Sequence, residues 1–165
     1  MAYDNVVRFT SVVFCAVLLY PAAGSAGEKK ITRKEVPAAI LSAFEKAYPK
    51  AAIRGFSREE EEGKTLYEVE SLEGKTTRDI LYAADGKIAE IEEGIAVNDL
   101  PAAVRETVSK EYPKGKVVKA EKVTHESVVE YEVHVTVGKT RHSLVVDPAG
   151  KVVEKDDVKK EDVKR

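Results

Sequence analysis

The residues in this sequence best able to do chemistry are carboxylates and three histidines. Glu59-Glu60-Glu61-Glu62 runs into Gly63, Glu68, Glu70 and Asp79 fall on alternating positions, and His125, His134 and His142 all lie in the C-terminal half. Paired carboxylates work as acid and base only where burial raises one pKa, and no sequence signal marks burial here. Histidines ligate a metal only if their imidazoles share one face, and the strand register derived below separates His134 from His142. The four-glutamate run lacks the alternating oxygen ligands of a dedicated calcium loop. It reads as a solvated hairpin tip whose self-repulsion discourages edge-to-edge sheet pairing. No nucleotide-binding glycine loop, zinc-type cysteine spacing, His-Glu-x-x-His or Gly-x-Ser-x-Gly occurs. The chain therefore reads as a non-enzyme with no cofactor and no metal ligands. Its alternating carboxylates are either a binding surface or simple solvation.

Those residues are positioned by a unit used twice. Tyr67-Glu68-Val69 returns as Tyr131-Glu132-Val133, 64 residues on, and a gapless comparison at that offset gives identities at 17 of 64 positions. Each copy opens with a helical pattern: Val36, Ile40 and Phe44 in the first, and Leu100, Val104 and Val108 in the second. The first helix is expected to start near Glu35 and the second at an Asp99 N-cap, with Pro37 and Pro101 in their first turns. Tyr48-Pro49 and Tyr112-Pro113 end them, because a residue before proline is pushed out of the α region.

Four strand-like segments follow each helix, at 52–59, 64–72, 76–83 and 87–92, then at 116–123, 128–137, 140–146 and 151–155. Gly63-Lys64, Gly74-Lys75, Asp85-Gly86, Gly138-Lys139 and Ala149-Gly150 supply turns. A two-residue Gly-Lys turn opposes Tyr131 to Val146, Val133 to Leu144 and Val135 to His142. In the first copy it opposes Tyr67 to Tyr82 and Val69 to Ile80. A slip of one residue would pair Val133 with Ser143 and Val69 with Asp79, exchanging the faces, so the apolar pattern selects the first register. Glu68, Glu70, Asp79 and Leu81, with Glu132, His134, Ser143 and Val145, then lie on the face away from the core.

Charged residues are 34% of the chain, apolar ones 43%, and the net charge is −2. That balance fits a globular protein and argues against nucleic acid, which needs a concentrated basic surface. Residues 35–98 carry 8 Lys/Arg against 14 Asp/Glu, whereas residues 99–162 carry 12 against 13, so the first copy is the acidic one. Residues 1–26 are of another kind: an apolar run from Phe9 to Tyr20, then Pro21 and small residues up to Ala26. This reads as a secretory signal cleaved after Ala26, leaving no cysteine and no membrane attachment in the mature chain, which is expected to be periplasmic or secreted. Residues 27–34 form a basic tether, 35–98 the first repeat, 99–158 the second, and 159–165 a charged tail.

Leu100-Pro101-Ala102-Ala103-Val104, Tyr112-Pro113, Tyr131-Glu132-Val133 and Asp147-Pro148-Ala149-Gly150-Lys151-Val152, with their first-copy counterparts, resemble tandem PepSY-like domains over roughly residues 35–156. These are secreted bacterial modules described as β-lactamase-inhibitor-like. The resemblance implies an α+β fold of two helix–four-strand repeats. Both helices lie on one face of an antiparallel sheet, and a concave opposite face is open to another protein. No catalytic residues transfer from that family, and inhibition of a β-lactamase does not follow from the fold. The expected function is a non-catalytic extracytoplasmic binding module, an inhibitor of a protease or other envelope enzyme. The alternative is a small-ligand or cation sensor using the acidic first repeat. If Tyr131 packs fully beneath the second helix, Tyr131→Ala should cost roughly 3–5 kcal/mol in denaturant unfolding.

Overall fold

The computed structural model describes residues 28–61 and 64–158. The signal-like segment, the charged tail and Glu62-Gly63 at the acidic hairpin tip lie outside the described residues. Nine strands form one antiparallel sheet in which spatial order follows chain order. In sequence these are β1 (Lys29–Lys30), α1 (Ala38–Ala47), β2 (Ala52–Glu61), β3 (Lys64–Glu73), β4 (Thr76–Ala83) and β5 (Ile88–Gly94). There follow α2 (Ala102–Glu111), β6 (Lys116–His125), β7 (Val128–Val137), β8 (Thr140–Val146) and β9 (Val152–Val158). Each repeat thus contributes one helix and four strands. The β5–β6 ladder, from Glu90↔His125 to Gly94↔Glu121, joins them into a continuous sheet. Among the described residues no helix is long and apolar enough to cross a membrane.

The hairpin registers are those the apolar pattern selects. Tyr67 opposes Tyr82 and Val69 opposes Ile80; Tyr131 opposes Val146, Val133 opposes Leu144 and Val135 opposes His142. Gly74 and Gly138 carry the positive φ of 64° and 60° that these tight turns require. The third turn of this kind is less expected, because Glu126 takes φ 53° between β6 and β7.

The helix starts differ from expectation. Both α-helices begin one residue after a proline, at Ala38 and Ala102, with Pro37 and Pro101 in the N-cap position. A proline cannot donate into the preceding turn, so the residues before it form separate 3-10 turns at Arg33–Glu35 and Val97–Asp99. Asp99 therefore ends a turn instead of capping a helix. Thr32 and Glu35 do form a reciprocal capping box, but on the short turn. The basic segment, expected as a solvated linker, also has structure: Lys29 and Lys30 pair with Arg58 and Ser57 as an edge strand.

Each helix packs on its own half of the sheet. Val36, Ile40 and Phe44 meet Val69, Ile80 and Tyr82; Leu100, Val104, Val108 and Tyr112 meet Val133, Val135, Leu144 and Val146. Val69, Val133, Ile40 and Val104 are wholly buried. Tyr67 and Tyr131 are half-buried at the cluster margins, which lowers the expected cost of Tyr131→Ala to about 2 kcal/mol. His142 stacks against Tyr112, ring centroids 4.8 Å apart, so it belongs to the core side.

The duplication extends to irregularities. Register shifts fall at Ile53/Gly55 in β2 and at Val117/Lys119 in β6, and again at Leu81/Tyr82 and Val145/Val146. Bulges recurring at the same 64-residue offset are features of the unit. So is the docking of the last turn under its helix: Gly86 has φ 85° and Gly150 φ 88°. A Cβ there would sit 3.0 Å from the Ala39 carbonyl oxygen and 2.9 Å from that of Ala103. Gly150→Ala should therefore lose about 2–3 kcal/mol through strain and displacement of α2. Gly138→Ala, where nothing lies within 4 Å, should lose about 1 kcal/mol. Chemical denaturation of the two variants checks the difference.

Candidate functional site

The face of the sheet away from the helix-packed clusters gathers nearly all the buried charge. Strand alternation and register place Glu68 and Glu70 (β3), Asp79 and Leu81 (β4), Glu132 and His134 (β7), and Ser143 and Val145 (β8) on it together. The ladders add Ser57 from β2, Glu90 and Glu92 from β5, and Lys119, Glu121 and Val123 from β6. Glu130, Glu154 and Asp156 lie on the same face.

This face is not a solvated one at its centre. Glu121 and Glu132 are 1% exposed, Glu92 4%, His134 5% and Glu68 6%. Leu66, Leu81, Val123 and Val145, also buried, stand among them and replace water with hydrocarbon. Glu68 and Glu132 therefore do not point freely into solvent. Each is held by a serine: Ser57 donates its hydroxyl to Glu68 Oε2 at 2.5 Å, and Ser143 to Glu132 Oε1 at 2.7 Å. The two serines come from different strands of the repeat, β2 in one copy and β8 in the other. His134 Nε2 stands 3.2 Å from Glu132 Oε1. Lys119 Nζ reaches Glu121 Oε2 at 2.7 Å from a side chain that is 40% exposed.

The bulges in β2 and β6 explain a further asymmetry. Gly55 and Lys119 occupy equivalent positions, one opposite Glu70 and the other opposite His134. At Gly55 the Glu70 carboxylate fills the space of the missing side chain, 2.9 Å from where a Cβ would lie. In the second repeat that space belongs to the lysine.

Burial dominates the electrostatics. It raises the Glu92 pKa to about 9, and the neighbouring carboxylates of Glu121, Glu90 and Glu132 add to the rise while Lys119 opposes it. Burial likewise raises Glu68 to about 7, offset in part by the Ser57 hydrogen bond. Asp79 rises to about 6 by burial and the charge of Glu121. Burial pushes Lys119 down, but Glu121, Glu92 and Glu132 outweigh it and raise its pKa. The sequence shows no burial at these carboxylates; in the fold they lose their water and hold protons near neutrality.

Two groups of donors approach one another closely enough to surround an ion. Ligand atoms of Glu121, Glu132 and His134 lie within 4.8 Å of one another, as do those of Asp79, Glu92 and Glu121. Glu92, Lys119 and Glu121 were not singled out from the sequence. Glu121 is the repeat equivalent of Ser57 and Glu92 that of Asp156, so repeat comparison gives no shared motif. Their meeting depends on the β5–β6 ladder, which no hairpin turn specifies. His125 only approaches the margin, with Nδ1 3.6 Å from Glu90 Oε2.

Fold and face together define a tandem helix–four-strand protein with an acid-lined sheet. The chain belongs to the family described as "Putative beta-lactamase-inhibitor-like, PepSY-like", whose model matches twice, over residues 25–90 and 65–154. Solved structures share the fold. One, from Bacteroides eggerthii and described as a "putative periplasmic" protein, is 18% identical with TM-score 0.64, covering 74% of this chain and 88% of that one. A BLIP-like protein from Bacteroides fragilis is 22% identical with TM-score 0.59, covering 78% and 92%. The comparison with curated proteins found no match.

A carboxyl group with a raised folded-state pKa stabilises the fold fully below its unfolded pKa, and this contribution is lost as pH climbs through the folded value. For Glu68, Asp79 and Glu92 that window runs from about pH 4 to about pH 9. The melting temperature should fall across it. Glu92→Gln, a mimic of the protonated side chain, should flatten the fall and gain at least about 1.4 kcal/mol over wild type at pH 8, the equivalent of one pKa unit. Calorimetry from pH 5 to pH 9 reads both.

Proposed function

We propose that this chain is a non-catalytic extracytoplasmic binding module, one that inhibits an envelope enzyme by covering it with the acid-lined sheet face. The carrying observation is the asymmetry of that face: Glu70, Asp79, Glu90, Glu154 and Asp156 surround a buried acidic centre that holds one lysine, Lys119, while Lys30, Lys64, Lys116 and Arg141 stand toward its edges. With both helices on the other face, the complementary partner is a protein presenting a basic segment to this open face. Charge of one sign over a face speeds encounter and selects the partner more than it adds affinity. The signal-like N-terminus and the periplasmic description of the structural neighbour support the compartment. Membership of a family described as inhibitor-like supports the role.

A partner should bury on the order of 800 Å² on each side. The rim is where variants are informative, because a lysine at the buried Glu132 would unfold the protein. Glu70 is 23% exposed in its side chain, and Glu154 is half-buried. Cross-linking of the mature protein in an envelope extract should capture a partner, with recovery reduced at least tenfold by Glu70→Lys/Glu154→Lys and the gap from wild type narrowed by raising the salt, which screens both attraction and repulsion. Equal capture by the double variant, with its circular dichroism unchanged, would exclude this face.

A further inference from the structure

The geometry points to a binding site for a hard divalent cation of the Ca²⁺ type at the seam between the repeats, formed by Asp79 of β4, Glu92 of β5 and Glu121 of β6. Three side chains from three adjacent strands bring oxygens within 4.8 Å of one another. Atoms this close can share one hard divalent ion, and the choice of Ca²⁺ over Mg²⁺ rests on the donor set, because Mg²⁺ keeps several of its waters and is held by only one or two carboxylates. The donor set is all oxygen, and three carboxylates can each bind through two atoms, which suits the six to eight ligands of a hard, flexible ion.

A cluster of acids alone would not distinguish a site from a buried liability. The second observation is Glu92 Oε1, fully buried with no hydrogen-bond partner, in a residue 4% exposed. A buried polar atom without a partner is costly, and this one belongs to the group that converges with Asp79 and Glu121. Lys119 supplies one ammonium, which is placed on Glu121. Its partly exposed side chain gives an incoming ion a route: the lysine swings out and the cation takes its place. The triad also occurs once by construction. The positions equivalent to Asp79 and Glu92 are Ser143 and Asp156, and the one equivalent to Glu121 is Ser57. Among the described residues, three carboxylates converge in this way at the seam.

The test needs only the isolated protein, so it stands whether or not the rim meets a protein partner. Calorimetric titration with Ca²⁺ at pH 7.5 should show one site, and Ca²⁺ should raise the melting temperature. Glu92→Gln and Asp79→Asn should each raise Kd at least tenfold. Lys119→Met, which removes the competing ammonium, should lower Kd and show a larger Ca²⁺-dependent rise in melting temperature than wild type. Absence of heat and of any thermal shift in wild type would overturn the site. So would binding that survives Glu92→Gln, Asp79→Asn and Lys119→Met unchanged, since that ion would sit elsewhere, for example on the Glu59–Glu62 run. An equal response to Mg²⁺ would overturn the choice of Ca²⁺.

Discussion

The pairing of β5 with β6 is the constraint on which the rest of this protein depends. Every other ladder from β2 to β9 joins strands of one repeat with no helix between them. β5 and β6 are separated by α2 and must find each other across it. Once they pair, the free edges of two four-stranded units disappear into one sheet. The helices are then committed to their own halves, and β4 to β7 acquire a shared polar face. A four-stranded unit with one helix could cover little of its own sheet; the doubled sheet supports two core clusters in series.

That pairing has an electrostatic consequence. Glu92 lies opposite Asp79 on one side and beside Val123 on the other, and Gly94 lies opposite Glu121. Several carboxylates thus lose water at once with one lysine among them. In such surroundings the charged form is disfavoured and protons are retained near neutral pH. The serine hydroxyls on Glu68 and Glu132 satisfy individual oxygens but bring no opposite charge. A face arranged in this way stores a preference for positive charge, whether proton, cation or a basic side chain of a partner. Its stability cost is the kind tolerated at functional surfaces more than in inert ones.

Much of the architecture was legible because it repeats. The 64-residue offset, the Gly-Lys turns and the alternation of Tyr67-Glu68-Val69 with Tyr131-Glu132-Val133 led to the hairpin registers, and those registers put eight named residues on one face. The helix starts differ from the sequence expectation because a proline suited to a first turn stands here at the N-cap. It acts instead as a break between a 3-10 turn and the helix. The tyrosines were expected deeper than they lie, since ring size alone does not say how much of a strand position a helix covers.

Taken alone, the chain determined the repeat, its strand order within each copy and which side chains share a face, because period and turn chemistry are local. Only the tertiary structure decided that Glu68 and Glu132 are buried instead of displayed, and that Glu92 and Glu121 meet Asp79. Burial depends on what neighbouring strands bring, and the neighbours at the seam come from opposite ends of the duplication. The duplicated strand is thus a folding element on its valine side and an electrostatic one on its glutamate side. The second role arises from burial within each copy, and the seam extends it through Glu92 and Glu121.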